Sequence, residues 1–155
     1  MAIVYFDSSA FLKLLVNEDG TDLVIELWDG CDTAVSSRLA YPEVSAALAA
    51  AARSGRVELA DLASLERDWE MYWSAVRVIE LTPGVAQAAG VLCREYGLRG
   101  ADGVHLASAL ELFDADPVVA VWDVRLAAGA SAVGLRVAPT PARSPASDPV
   151  TFPHI

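Results

Sequence analysis

Two short apolar runs in this chain, Ile3-Val4-Tyr5-Phe6 and Val118-Val119-Ala120-Val121-Trp122, each end on an aspartate, Asp7 and Asp123. Neither run alternates polar with apolar residues, so both faces of each must be buried. That pattern belongs to strands of a parallel sheet covered by helices on both sides. In such open sheets ligands bind beyond the carboxyl ends of the strands. An acid placed directly after a strand therefore stands where chemistry is done, although the same acid also suits the cap of the next helix.

The remaining chain supplies the connecting helices. Ser8 and Ser9 offer caps for a short helix carrying Phe11, Leu12, Leu14 and Leu15, and Gly20 closes that region. A second amphipathic helix is expected over Thr21 to Trp28 and a second strand over Thr33 to Ser36. Pro42 suits the first turn of an Ala-rich helix that stops at Ser54-Gly55. A helix from Leu59 to Trp73 completes a helical hairpin. Val76 to Leu81 reads as a third strand, followed by a helix from Thr82-Pro83 to Gly97. Residues 101–113 read as a helix with Leu106, Ala109, Leu110 and Phe113 on its apolar face. After the strand at 118–122, a short helix over Val124 to Ala132 precedes a fifth strand, Leu135 to Ala138. Alternating strands and helices imply an α/β fold in three layers, α/β/α, around a central parallel sheet of four to five strands. Residues 1–138 form that domain, and 139–155, with five prolines, read as an extended proline-rich tail.

Composition narrows the function classes. The net charge of −10 argues against a generic, charge-driven nucleic-acid binder. It leaves room for an enzyme that meets RNA through a few arginines and metal ions, and it favours a basic protein partner. The two cysteines, Cys31 and Cys93, make no CxxC pair and have no histidine nearby for a zinc site. No basic leader precedes the first apolar run and no stretch reaches the roughly 18 apolar residues of a membrane helix. A cytoplasmic protein without a membrane role is expected.

Two further acids join Asp7 and Asp123. Glu43 follows Pro42 in a helix first turn, and Asp102 opens the helix after Leu98-Arg99-Gly100-Ala101. Each alone suits the helix dipole without any function. The coincidence of all four at strand ends and helix starts raises the functional reading, because such a cluster repels itself unless a hard cation is present.

At these residues the chain resembles the PIN-domain ribonucleases of the VapC toxin type. Tyr5-Phe6-Asp7-Ser8-Ser9-Ala10-Phe11-Leu12-Lys13-Leu14 is similar to their opening, and Pro42-Glu43 with Ala47-Leu48 to their second acidic motif. Leu98-Arg99-Gly100-Ala101-Asp102 with His105-Leu106-Ala107 is similar to the third. Trp122-Asp123-Val124-Arg125-Leu126, followed by Gly134-Leu135-Arg136-Val137, is similar to the last. The likeness spans residues 1–138; single motifs are weak and their order is the specific part. Two positions depart: Trp122, where a smaller residue is common, and Gly103, where Ala is usual and where Gly weakens a helix first turn.

The resemblance implies a metal-dependent endoribonuclease that uses Mg²⁺ or Mn²⁺, probed by oxygen ligands. It implies Asp7, Asp102, Glu43 and Asp123 as the metal-site acids, with Asp7 and Asp102 the primary ligands, Glu43 orienting a metal-bound water or acting as base, and Asp123 completing the ring or holding a second metal. Ser9 matches the family's small hydroxyl and would bond Asp7 or a phosphate, unless it only caps its helix. It further implies a homodimer, an RNA substrate and a small antitoxin with a basic C-terminal segment. His105 reads as a packed histidine bonded to backbone, with general acid as the other reading. Arg99 suits a phosphate or a neighbouring acid. Trp69 and Trp73, four apart beside Met71 and Tyr72, read as core or interface, and the apolar patch they make suggests a protein interface. A phosphatase or receiver-type domain is disfavoured, since Asp7 is followed by two serines and the only lysine is Lys13. A general RNA-processing PIN nuclease and a non-catalytic PIN-fold binding module remain as alternatives.

Overall fold

A computed structural model describes residues 1–140 of the chain. The region expected to be a proline-rich tail lies almost wholly outside the described residues. The strands are β1 (Ile3–Phe6), β2 (Thr33–Ser37), β3 (Arg77–Ile79), β4 (Val118–Ala120) and β5 (Arg136–Ala138). The helices are α1 (Ser8–Leu15), α2 (Thr21–Gly30), α3 (Ala40–Arg53), α4 (Leu59–Ser74), α5 (Pro83–Tyr96), α6 (Gly100–Leu110) and α7 (Val124–Ala132).

The strands form one sheet in the order β3-β2-β1-β4-β5, and every pairing is parallel. The chain winds outward from β1 to β3, then crosses back to lay β4 on the other side of β1. The winding direction thus reverses beside β1, which makes the carboxyl ends of β1 and β4 the topological switch point. Phe6 pairs in register with Ala120, so Asp7 leaves the sheet level with Val121.

Period-2 side-chain alternation explains how β1 serves two cores. Ile3 and Tyr5 face a cluster containing Val85, Leu92, Leu106, Leu126 and Val119. Val4 and Phe6 face the opposite cluster, with Phe11, Val24, Val44, Leu48 and Trp69. Helices α5, α6 and α7 therefore cover one face, and α1 to α4 the other. No helix among the described residues is long and apolar enough to cross a membrane.

Several boundaries differ from the sequence reading for local reasons. The fourth strand ends at Ala120 rather than Trp122, because the Trp122 N–H donates to the Ser9 hydroxyl at 2.9 Å instead of to a strand partner. The third strand is confined to Arg77–Ile79 at the sheet edge. Helix α6 stops at Leu110, and Phe113 lies in a following 3-10 turn, Phe113–Ala115. Pro117 disfavours helical backbone at the residue before it, and Phe113 is 51% exposed rather than part of the apolar face.

The tryptophans of α4 also depart from expectation. Trp69 is 2% exposed, and Trp73 packs with it against Phe11 and Tyr41. They belong to an intramolecular aromatic cluster rather than an open patch; their neighbour Met71 is the exposed residue.

Gly103 has a packing reason that composition hides. A Cβ built there would stand 2.4 Å from Cys93 Sγ and 2.8 Å from the Ala89 carbonyl oxygen. Helices α5 and α6 meet so closely that only hydrogen fits, and this contact sets how deep α6 lies against the sheet.

Candidate active site

Asp7 is the N-cap of α1. Its Oδ1 accepts the Ala10 N–H at 3.0 Å and the Ser9 hydroxyl at 2.6 Å. The Ser9 oxygen in turn accepts the Trp122 N–H, so one hydroxyl ties the end of β1 to the segment that carries Asp123. Asp7 is 2% exposed. Burial pushes its carboxyl up from an ordinary 3.8 to about 6, a rise that His105, Ser9 and Ala10 oppose and Glu43 adds to. An acid held this way binds a proton or a cation in preference to standing alone.

Asp123 caps α7, its Oδ1 accepting the Leu126 N–H at 2.9 Å. Asp102 lies in the first turn of α6, where its Oδ2 accepts the Arg99 N–H at 3.1 Å. Glu43 lies in the first turn of α3, and its Oε2 meets His105 Nε2 at 2.6 Å. All four acids share one property. One carboxyl oxygen is engaged, by a local bond for the three aspartates and by His105 for Glu43, and no hydrogen bond among the described residues reaches the other. Capping explains the fixed oxygens of the aspartates. It does not explain four free ones, and Asp7 Oδ2 is not sealed from solvent: among the described residues the one sealed side-chain polar atom without a partner is Trp69 Nε1.

Glu43 and His105 are hydrogen-bonded, and both lie near enough to Asp7 to act on its carboxyl electrostatically. Asp102 sits one helical turn before His105 on α6, so the two are near neighbours on the helix surface. Asp123 approaches from the far side of β1 through the Ser9–Trp122 bond. Among the described residues, no three His, Cys, Asp or Glu side chains are gathered into a ready-made metal cage. Mg²⁺ does not require one: it takes one or two carboxylates and fills its octahedron with waters and substrate phosphate oxygens. The buried Asp7 carboxyl of raised pKa, with the Glu43 carboxylate acting on it, offers hard oxygen donors of the kind such an ion takes.

His105 is buried, as expected, but its partners are not backbone. Its Nδ1 meets the Tyr5 hydroxyl at 2.8 Å and its Nε2 meets Glu43. Tyr5 was legible only as strand core. The signal that could have marked it is the one polar group in an otherwise non-polar strand, since a buried tyrosine hydroxyl needs a partner. Arg99 is exposed and in no ion pair among the described residues; its backbone, not its guanidinium, touches Asp102.

Comparison with known proteins gives the family. The PIN domain profile matches residues 4–115. Ribonuclease VapC45 and Ribonuclease VapC49 of Mycobacterium tuberculosis are each 62% identical over 139 residues, covering 90% of this chain and 96% of theirs. Among solved structures, PAE2754 from Pyrobaculum aerophilum superposes with a TM-score of 0.65 at 20% identity, covering 88% of this chain and 83% of that one. FitAcB from Neisseria gonorrhoeae gives 0.64 at 16%, covering 86% and 95%. With its switch-point acids in place and its motifs in order, the chain belongs to the PIN-domain family and, within it, to the VapC group.

Proposed function

We propose that this chain is a divalent-metal-dependent endoribonuclease, Mg²⁺ or Mn²⁺ being the ion, and the toxin of a toxin–antitoxin pair. The observation that carries the reading is the set of acids at the switch point, each with one oxygen fixed and one free. Asp7 and Asp102 are the primary ligands, Glu43 orients water for attack or accepts its proton, and Asp123 completes the ring. Ser9 holds Asp7 and links it to the Asp123 segment. A divalent ion, when bound, neutralises charge on phosphoryl oxygens and makes water more acidic. The chain's own residues orient, hold protons and exclude bulk water around Asp7. The names of the VapC relatives, which describe ribonucleases, support RNA as the substrate.

The antitoxin is a small protein with a basic, amphipathic C-terminal segment. Its basic side chains satisfy the acids by charge-assisted bonds, and the charge of −10 steers it to this surface. Its apolar side chains suit a groove of about 270 Å³ lined by Leu12, Val16, Ala47, Leu48, Ala51 and Val57. The toxin acts as a homodimer in the cytoplasm.

The test is cleavage of a structured RNA by the purified chain. Cleavage that requires Mg²⁺ or Mn²⁺, stops with a chelator and is lost in Asp7→Asn supports the reading. Metal-independent cleavage, or an active Asp7→Asn, defeats it. Absence of growth inhibition on expression, with no small partner co-purifying from the native host, removes the toxin role and leaves the nuclease.

A further inference from the structure

We infer that Tyr5 and His105 form a positioning relay that fixes the ring tautomer of His105 and thereby aims the carboxylate of Glu43. The inference rests on the reading of Glu43 as an acid of the nuclease site.

His105 is 3% exposed and both ring nitrogens are engaged. The contact of 2.6 Å between Nε2 and Glu43 Oε2 needs a proton between them. Without one, a ring lone pair would face a carboxylate lone pair at bonding distance. In a neutral imidazole, a proton on Nε2 leaves Nδ1 as an acceptor. The atom facing Nδ1 is the Tyr5 hydroxyl at 2.8 Å, which must then donate. The chain of donors runs one way: Tyr5 O–H to Nδ1, Nε2–H to Glu43.

The supports of this chain are rigid. Tyr5 is a fully buried residue of the central strand, and its ring meets the His105 ring edge-on with centroids 6.1 Å apart. His105 sits on α6, whose depth is set by the Gly103 contact. Glu43, by contrast, is a flexible side chain with 27% of its surface exposed. Held by Oε2, it presents Oε1 in a fixed direction. Carboxylates at metal sites are themselves oriented by hydrogen-bond partners, and loss of such outer partners typically costs ten- to a hundredfold in metal affinity or activity.

The experiment compares the wild type with Tyr5→Phe, His105→Leu and His105→Gln. The first readout is the ¹⁵N–¹H correlation spectrum of the His105 ring in metal-free protein at pH 8. The second is the Mn²⁺ dissociation constant by calorimetry. The third is kcat against KM on RNA, with thermal melting as the folding control. The wild type shows a single Nε2–H tautomer, and Tyr5→Phe shows a mixture. His105→Leu fills the space without a donor, so its Mn²⁺ affinity falls about ten- to a hundredfold, with kcat falling and KM changing little. His105→Gln keeps an N–H for Glu43 and recovers most of that loss. A ring protonated on Nδ1, or on both nitrogens, overturns the inference. So does His105→Leu or Tyr5→Phe with wild-type Mn²⁺ affinity and kcat. If His105→Leu does not fold, Tyr5→Phe, which removes one oxygen, decides the matter alone. A wild type that binds no Mn²⁺ overturns the proposed function and this inference with it; a wild type that binds and cleaves beside equally competent variants overturns only the inference.

Discussion

Asp7→Asn should make the metal-free protein more stable, although it destroys the site. Asp7 is 2% exposed, and burial raises its folded-state pKa from 3.8 to about 6. The folded state therefore holds the proton to higher pH than the unfolded chain does. The stability contribution of the protonated group is complete below about pH 4 and is lost as pH rises through about 6. A rise of about two units corresponds to roughly 3 kcal/mol of penalty at pH 7.5. Asparagine keeps an oxygen for the Ala10 N–H and the Ser9 hydroxyl and caps a helix as well as aspartate does. The bonds lose their charge assistance, worth about 1 kcal/mol. The expected net gain is about 2 kcal/mol, or about 4–8 °C in Tm for a chain of this size. Urea unfolding in EDTA at pH 7.5 and pH 4.5 measures it. At pH 4.5 the wild type is largely protonated at Asp7 when folded, and the gain should shrink to near zero. Saturating Mg²⁺ should stabilise the wild type by about 2.7 kcal/mol at a hundred times Kd and leave the variant unmoved. A variant that is less stable than the wild type at pH 7.5 without metal, or a difference independent of pH, refutes the reasoning.

Ser9→Ala strands the Trp122 N–H and removes a bond that lowers the Asp7 pKa; a loss of about 1–3 kcal/mol in urea unfolding is expected, with the acid limb of the activity profile moving to higher pH. Gly103→Ala forces a Cβ to 2.4 Å from Cys93 Sγ and 2.8 Å from the Ala89 oxygen, so overpacking of about 1–3 kcal/mol should outweigh the roughly 0.5–1 kcal/mol that alanine gains in a helix. Adding Cys93→Ala should recover only part, since the carbonyl remains. A homodimer is expected by light scattering at micromolar concentration, and a monomer there would count against the proposed assembly.

How far the sequence carried the structure depends on the range of the forces involved. The buried strands were legible because both-face burial writes an unbroken apolar run, and Asp7 and Asp123 were legible because they end those runs. Glu43 and Asp102 showed through helix-start chemistry. What joins them was not visible. Tyr5 and Glu43 meet on His105 across 100 and 62 residues of separation, and no local pattern encodes a partnership of that kind. The α4 tryptophans failed for the related reason that period and bulk mark an apolar face without naming what covers it; Phe11 and Tyr41 do. Phe113 failed because an apolar residue continued the helical period past Leu110, where α6 ends and a 3-10 turn follows.

Gly103 shows why packing and chemistry cannot be separated here. Read locally, glycine in the first turn of α6 weakens the helix that carries Asp102. Read in three dimensions, it lets α6 approach α5 closely enough for Cys93 and Ala89 to touch the helix backbone. The same helix carries His105 one turn further on, against Tyr5 and Glu43. A shift of α6 by the width of a methyl group would stretch the contact of 2.6 Å to Glu43 beyond hydrogen-bond length. The effect of Gly103→Ala should therefore reach beyond stability. At a temperature where the variant is fully folded, its Mn²⁺ affinity should fall in the same direction as that of His105→Leu, whereas the control Cys93→Ala alone should leave affinity in place. Equal loss in both would refute the link between the added methyl group at position 103 and the site.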